Sequence, residues 1–489
     1  MRISGIFRLG SFFFPRNDNE RTLLEREENA ALQIRESLEQ ELSEHSRAIT
    51  ESMQAWNDIA SQWKEKSSGI HPFIEHMPSE KASVGITLSD GQAVVSAGNG
   101  NNQITVSIDP GSGDQIVTID GISYRIPAGN HLTIRGEGGQ DTITLPSQTS
   151  IGFTVAGGAG LDRITGSGGG DRIFGYQGDD EIQAGSGADY VSGGNGHDYL
   201  DGQEGDDRLF GGADRDCLYG LAGSDHLSGG LEQDYLEGGT GSDLLDGGHG
   251  NDVLSGGQGD DRVFGGDGDD VSYGGLGRDR SIGGTGEDTS YDHAAAPDSS
   301  TERNITIEIP RDTPFIKVEG SPEFIARVEA DLDLMRSSPA GQALLETLQK
   351  SHDDSGFLWW GKSSLTITEF QKTTPDDYNS LASQNGNNFS VKYLPTFDDF
   401  RGAPPVVILQ HELGHVYDYA HGTLRLDPYL GESVEDHKIK VAERQATGLP
   451  IDHDGDPSTP EIIDPAHPFP YTENGLRQEM GLPKRESYR

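Results

Sequence analysis

The sequence predicts a multidomain chain: an α-helical N-terminal segment, a central all-β solenoid of the parallel β-roll or β-helix kind, and a C-terminal α+β domain. The solenoid rests on a ladder of aspartates at a strict interval of nine residues: Asp162, Asp171, Asp180, Asp189, Asp198, Asp207, Asp216, Asp225, Asp234, Asp243, Asp252, Asp261 and Asp270, continuing to Asp279 and Asp288. An aliphatic residue stands two positions after each of the first twelve, from Ile164 and Ile173 to Leu254 and Val263. The unit reads Gly-Gly-x-Gly-x-Asp-x-(aliphatic)-x, and self-similarity at a short fixed period marks stacked repeats. The outer parts rest on a change of pattern: a charged stretch without Gly or Pro before the ladder, and mixed helix and strand periodicities after it.

Residues 1–70 are read as the helical segment. Between Asn19 and Lys66, Leu42, Ile49, Trp56 and Trp63 are spaced by seven, and Leu38 and Ile59 fall on the intervening helical positions. That pattern gives an amphipathic helix or helical hairpin, whose apolar face serves either a helical partner or the domain behind it. The opening Met1–Pro15 carries an apolar patch, Phe12 to Phe14, too short for a secretory h-region and without a small-residue cleavage site.

Residues 80–156 switch to alternating β sequence, as in Ile104-Thr105-Val106 and Ile116-Val117-Thr118-Ile119. Gly136 to Ile143 already resembles one repeat, with Asp141 in the acidic position. These residues are expected to form irregular β-helix rungs that start the solenoid and cover its open end.

The regular roll spans 157–291. Glycines supply the tight turns, and alternation around the aliphatic position gives a short strand with one side chain inward. Two nonapeptides make one coil, so aspartates eighteen residues apart stack at the strand spacing of about 4.8 Å. Bare carboxylates at that distance repel by roughly 1 to 3 kcal/mol. The repulsion recurs at every coil, and a hard cation held by carboxylate and carbonyl oxygens reverses it, which couples folding to calcium. The nonapeptide resembles the calcium-binding RTX repeat, which implies several structural Ca²⁺ ions on the aspartates from Asp162 to Asp270.

Composition sets bounds. The formal net charge is −44, and residues 157–291 hold 28 acids against 7 arginines and no lysine. Such a chain repels nucleic acid. No apolar run reaches the ~20 residues of a membrane span. The single Cys217 has no internal disulfide partner and sits at a variable repeat position, which suits packing.

After Ser272, Ser281 and Ser290 replace the inward aliphatic residue, the roll decays into a linker, 292–303. The last domain, 304–489, reads as a strand at Ile305–Ile309, helices near Pro322–Arg336 and Pro339–Lys350, strands at Leu365–Phe370 and Phe389–Leu394, and an apolar helix from Val406. In that helix stands His411-Glu412-Leu413-Gly414-His415. Histidines at i and i+4 project from one face, so both reach a single Zn²⁺, and Glu412 beside them is the candidate general base. Phe389–Leu394 is the candidate edge strand. For the third ligand, His421 has the metzincin spacing from His411, but Asp418 stands where a chain-reversing glycine is needed. A continuous helix carries His421 away from the metal, and Glu443, on the short helical stretch Val441–Gly448, is favoured, with His421 kept as the alternative. The segment Asp452 to Asp456 looks like a cation loop but has Ile463 where a bidentate glutamate is expected.

The runs HELGHVYDYAHG, ERQATGLP and YTENGLRQEMGLPKRESYR, in this order, resemble the NleD-like metallopeptidases of bacterial type III effectors. The resemblance covers about 320–489. It implies a zincin fold, one catalytic Zn²⁺ and a protein or peptide substrate of host origin. His411 and His415 are then ligands, Glu412 the base and Glu443 the third ligand. Tyr471, Arg477 and Tyr488 match the tail motif, where a substrate-facing or oxyanion role and a packing role both stand open. The expectation is a zinc metalloendopeptidase of a Gram-negative bacterium, secreted into the extracellular space or delivered into a host cell, with type I and type III export both open. The alternative is a calcium-dependent adhesion or surface-layer protein whose zinc domain is self-processing or inactive.

Overall fold

The computed structural model describes residues 84–89, 91–293, 301, 303–310, 313–355, 364–369, 380–385, 388–393, 404–421, 423, 441–447, 449 and 467–485. The helical segment expected in 1–70, most of the linker, the acidic loop at Asp452–Asp456 and Tyr488 lie outside these residues. No described helix is long and apolar enough to cross a membrane.

Alternation builds the solenoid. Each nonapeptide contributes a strand such as Arg172–Gln177 or Glu181–Ser186, with the aliphatic residue facing in, and successive strands enter opposite sheets. Strands eighteen residues apart pair in parallel: Ile173 faces Val155 and Val191, and Ile182 faces Ile164 and Leu200. An 11-stranded and a 13-stranded sheet result, and the aliphatic ladder from Ile164 to Val263 is completely buried between them. The β-solenoid thus covers about 133–307.

Its N-terminal end is less regular than β-helix rungs. Gln92–Ser96 and Gln103–Ile108 pair in parallel with later rungs. Gly85–Ser89 instead runs antiparallel to Gln92–Ser96, and Gln103–Ile108, Gln115–Ile119 and Ile122–Ile126 form an antiparallel meander. A two-residue period finds strands but carries no direction, so the sequence could not separate the two pairings.

At the other end Ser281 and Ser290 are buried and hydrogen-bond the buried Asp292, at 3.3 and 2.6 Å, so the core of the last coils is polar. The roll does not stop there. Arg303–Ile307 adds a further parallel rung beside Thr289–His293, which corrects the assignment of the Ile305–Ile309 strand to the last domain. Its alternating sequence fits either sheet, and only pairing decides.

The C-terminal domain has helices α1 (Pro322–Ser337), α2 (Pro339–Ser355), α3 (Pro405–His421), α4 (Val441–Thr447) and α5 (Glu473–Glu479). Ser321 caps α1 by accepting from Phe324 N, with Pro322 at the first helical position. The four-stranded sheet has the order Ile316–Glu319, Ser364–Glu369, Asn388–Tyr393, Ser380–Asn385. The expected edge strand is therefore interior. The edge is Ser380–Asn385, antiparallel to Asn388–Tyr393, a strand that the polar sequence SLASQN conceals.

Residues 82–489 form one unit, because the roll and this domain share a core. Tyr199, Cys217, Tyr219, Tyr235 and Tyr273 stand on the outer face of the 13-stranded sheet and are buried with Phe324, Val328, Leu332 and Met335 of α1. Polar contacts lock the seam. Arg327 lies 3.3 Å from the buried Asp201, and Asp331 accepts from Tyr219 Oη at 3.2 Å and Tyr393 Oη at 2.9 Å. Gln258 donates to Asp333 and Tyr273 to Glu479. Asp331 thus ties a roll side chain to the strand neighbouring the sheet edge.

Candidate metal and peptidase centre

Apolar residues set α3. Val406, Val407, Ile408, Leu409 and Leu413 are buried, which turns His411 and His415, one helical turn apart, toward a common side. Their rings lie 4.9 Å apart and nearly perpendicular. One ligand atom each from His411, Glu412 and His415 falls within a 4.8 Å cluster. From α4, Glu443 Oε2 stands 3.4 Å from His411 Nε2 and 3.2 Å from His415 Nε2.

Behind His411 sits a group that the sequence did not single out. Glu473 Oε2 lies 3.1 Å from His411 Nδ1, and its other oxygen accepts from Arg477 Nε at 2.9 Å. Arg485 Nη1 also donates to Glu473, at 3.2 Å. A carboxylate only accepts, so His411 Nδ1 carries the proton in this contact, which leaves Nε2 as the atom that meets a proton or a metal at the cluster. Thr472 caps α5 by accepting from Gly475 N, so in sequence Glu473 looks like an ordinary first-turn acid.

The electrostatics demand a positive charge in this space. Burial disfavours a cationic His411, but the carboxylates of Glu443 and Glu473 outweigh it and raise the imidazole to about 10. Burial likewise opposes the charge on Glu443 and Glu473. The facing imidazoles hold Glu443 well below the usual range, and His411 with the two arginines lowers Glu473 to about 2. Two Nε2 atoms aimed at one carboxylate need a proton or a metal between them. The nitrogen and oxygen donors fit zinc.

The other sequence candidates fall elsewhere. Helix α3 runs on through His421, about 9 Å along the axis from His415, and its ring stacks on Tyr417 at 4.2 Å. His421 Nδ1 bonds Tyr417 O, and Nε2 lies 3.4 Å from Ser351 Oγ. Arg477 is buried and donates to Glu473 and to Pro483 O. Tyr471 accepts from Thr347 Oγ1 at 3.0 Å and packs edgewise on Tyr417, a joint between α2 and α3. Asp418, which blocks the metzincin turn, bonds the buried His467 Nδ1 at 2.8 Å.

In the roll each aspartate has a divided job. From Asp180 onward, Oδ1 accepts the backbone N–H of the aspartate eighteen residues earlier, as from Asp162 to Asp180 and from Asp198 to Asp216, both at 2.8 Å; Asp162 and Asp171 accept instead from Asp141 N and Phe153 N. Oδ2 of Asp162, and of every ladder residue from Asp180 to Asp279, is buried without a hydrogen-bond partner. Asp171 departs from this: its Oδ2 accepts from Ser167 N at 2.7 Å. A Cβ on Gly256 would lie 2.6 Å from both Asp261 Oδ2 and Gly274 O. Only glycine leaves that space, where a carboxylate and a carbonyl oxygen converge, and an orphaned all-oxygen cradle fits Ca²⁺.

Burial, reinforced by neighbouring carboxylates, raises Asp180 to about 8, Asp234 to about 9 and Asp216 to about 10. A carboxyl raised in the folded state favours folding below its unfolded value near 4, and that favour is lost as pH rises through the folded value. Calcium-free chain should therefore gain β-sheet circular dichroism as pH is lowered from about 9 to 4. A flat signal across that window would refute the buried-ladder electrostatics.

The comparisons with known proteins agree with this division. Residues 154–289 match RTX calcium-binding nonapeptide repeats in nine overlapping segments. Residues 312–488 match the Peptidase_M91 family, described as effector protein. No curated protein matches the sequence. The β-roll with its carboxylate cradles falls within the first match and the His-Glu-His cluster within the second, and the chain carries RTX calcium-binding repeats joined to a C-terminal peptidase domain of this effector family.

Proposed function

We propose that the chain is a secreted zinc metalloendopeptidase, an effector that cleaves host proteins after export from a Gram-negative bacterium. The observation that carries the enzymatic reading is the convergence of His411 Nε2 and His415 Nε2 on Glu443 Oε2, beside Glu412. His411, His415 and Glu443 would hold the metal, and Glu473 orients His411 from behind. Zinc held there supplies Lewis acidity toward a scissile carbonyl and the attacking water.

The chain's own groups do the rest. Glu412 takes the proton of the attacking water and returns it to the leaving amine. The edge strand Ser380–Asn385 packs beside α3, and its outer side offers backbone donors and acceptors to an extended peptide. Recognition is then mostly main-chain, with side chains setting preference.

Metal content tests the ligand set. His411→Ala, His415→Ala and Glu443→Ala should each lose zinc and cleavage, while His421→Ala keeps both. Zinc lost with His421 but retained with Glu443 would replace this assignment by a metzincin-like one. Glu473→Gln should weaken zinc about 10- to 100-fold in a competition titration, the usual cost of losing a carboxylate behind a ligating histidine. Unchanged affinity would reduce Glu473 to a packing residue.

A further inference from the structure

The two faces of the roll are used differently. The outer face of the 13-stranded sheet is consumed by the shared core, and every roll side chain in that core belongs to it. The opposite face, on the 11-stranded sheet, contributes none. Its side chains form two rows in register across the strands, running from Arg172 to Arg280 and from Phe174 to Ile282.

The composition of these rows opposes that of the chain. Arg172, Arg208, Arg262 and Arg280 lie here, four of the seven arginines of residues 157–291, whereas Asp246 is the only one of its 28 acids in either row. Arg172, Arg208 and Arg262 are exposed. Three rings follow on successive strands, Phe174 to Tyr190 at 5.7 Å and Tyr190 to Phe210 at 5.2 Å between centroids. The Arg172 guanidinium stands 5.4 Å over the Tyr190 ring.

We propose that this face binds an extended acidic polysaccharide of the uronate class. Guanidinium forks pair with carboxylates, and ring faces take the C–H side of a pyranose. A flat ladder stepping by about 4.8 Å suits a linear polymer with regularly repeated charge, not an enclosed small molecule. Charge complementarity selects the anion. The strong negative charge elsewhere selects against duplex nucleic acid, whose charge of one per about 1.7 Å of axis is repelled more. The face lies apart from the peptidase cluster, so the proposal stands or falls independently of proteolysis.

The test uses the full chain with zinc and calcium bound. Calorimetric titration with a galacturonate octamer should show binding that weakens with salt, and Arg172→Gln/Arg208→Gln should reduce affinity at least about 10-fold, a loss of ~1.4 kcal/mol. Tyr190→Ala/Phe210→Ala should reduce it similarly, with circular dichroism confirming an intact roll in each variant. A dextran of equal length should not bind. The proposal is overturned if the octamer fails to bind, if folded variants bind as well as the parent, or if single-stranded DNA or phosphatidylserine vesicles bind more tightly than the octamer.

Discussion

Withdrawing calcium while free zinc is buffered at a constant level should abolish peptide cleavage, although every ladder aspartate lies outside the peptidase domain. The reason is the shared core. Helix α1 buries one side on tyrosines of the roll, and Asp331 is held by Tyr219 from the roll and Tyr393 from the domain's own sheet. Each calcium site filled to about 100 times its dissociation constant stabilises the folded roll by ~2.7 kcal/mol. Losing several such terms exceeds the whole stability of an ordinary domain, about 5 to 15 kcal/mol. Cleavage of a reporter peptide should return on adding calcium, with the same midpoint as the β-sheet signal. Full activity in calcium-free, zinc-replete protein would show that the two parts fold independently. Tyr219→Ala should reproduce part of the effect in calcium, destabilising by about 3 to 5 kcal/mol as a large buried aromatic is removed.

Glu412→Gln should retain zinc and lose cleavage by roughly 10² to 10⁴-fold, the range a positioned general base contributes. The amide keeps the shape of the side chain but accepts no proton, so metal content by elemental analysis should equal that of the parent. The same variant separates the two functional readings. A calcium-dependent adhesion or surface-layer protein whose zinc domain is self-processing or inactive would bind its surface ligand equally well with or without this substitution, and neither form would cleave a reporter peptide. Cleavage persisting in Glu412→Gln at the parent rate would place the base elsewhere.

The parts of this chain that were legible in sequence are those in which one residue does one job at a fixed period. The aspartate and aliphatic ladders gave the roll, its register and its row of buried carboxylates. The His411 and His415 pair, with Glu412 between them, gave the cluster. What stayed hidden depended on pairing across the chain. Glu473 stands 62 residues after His411 and behaves in sequence like a helix-start acid. Arg477, matched to a tail motif with two roles open, is a buried clamp on that same glutamate. The edge strand Ser380–Asn385 has too little apolar character to declare itself, and the strand at Arg303–Ile307 went to the roll because a free parallel edge was there to receive it. Tyr199, Tyr219 and Tyr235 read as ordinary variable repeat positions, since nothing local distinguishes a side chain facing solvent from one covered by another domain.

The carboxylate-to-amide contacts of the roll run one way. In every pair the later aspartate serves the amide of the earlier coil, from Asp162 with Asp180 to Asp270 with Asp288. Trimming coils from the N-terminal end exposes a carboxylate, which water solvates readily. Trimming from the C-terminal end strands buried amides, each costing about 1 to 3 kcal/mol. The solenoid is therefore a ratchet with a sense: assembly that starts beside the peptidase domain and winds toward the N-terminus leaves no amide waiting for its partner. A chain threaded out N-terminus first would have to hold its leading coils open until the last ones arrive.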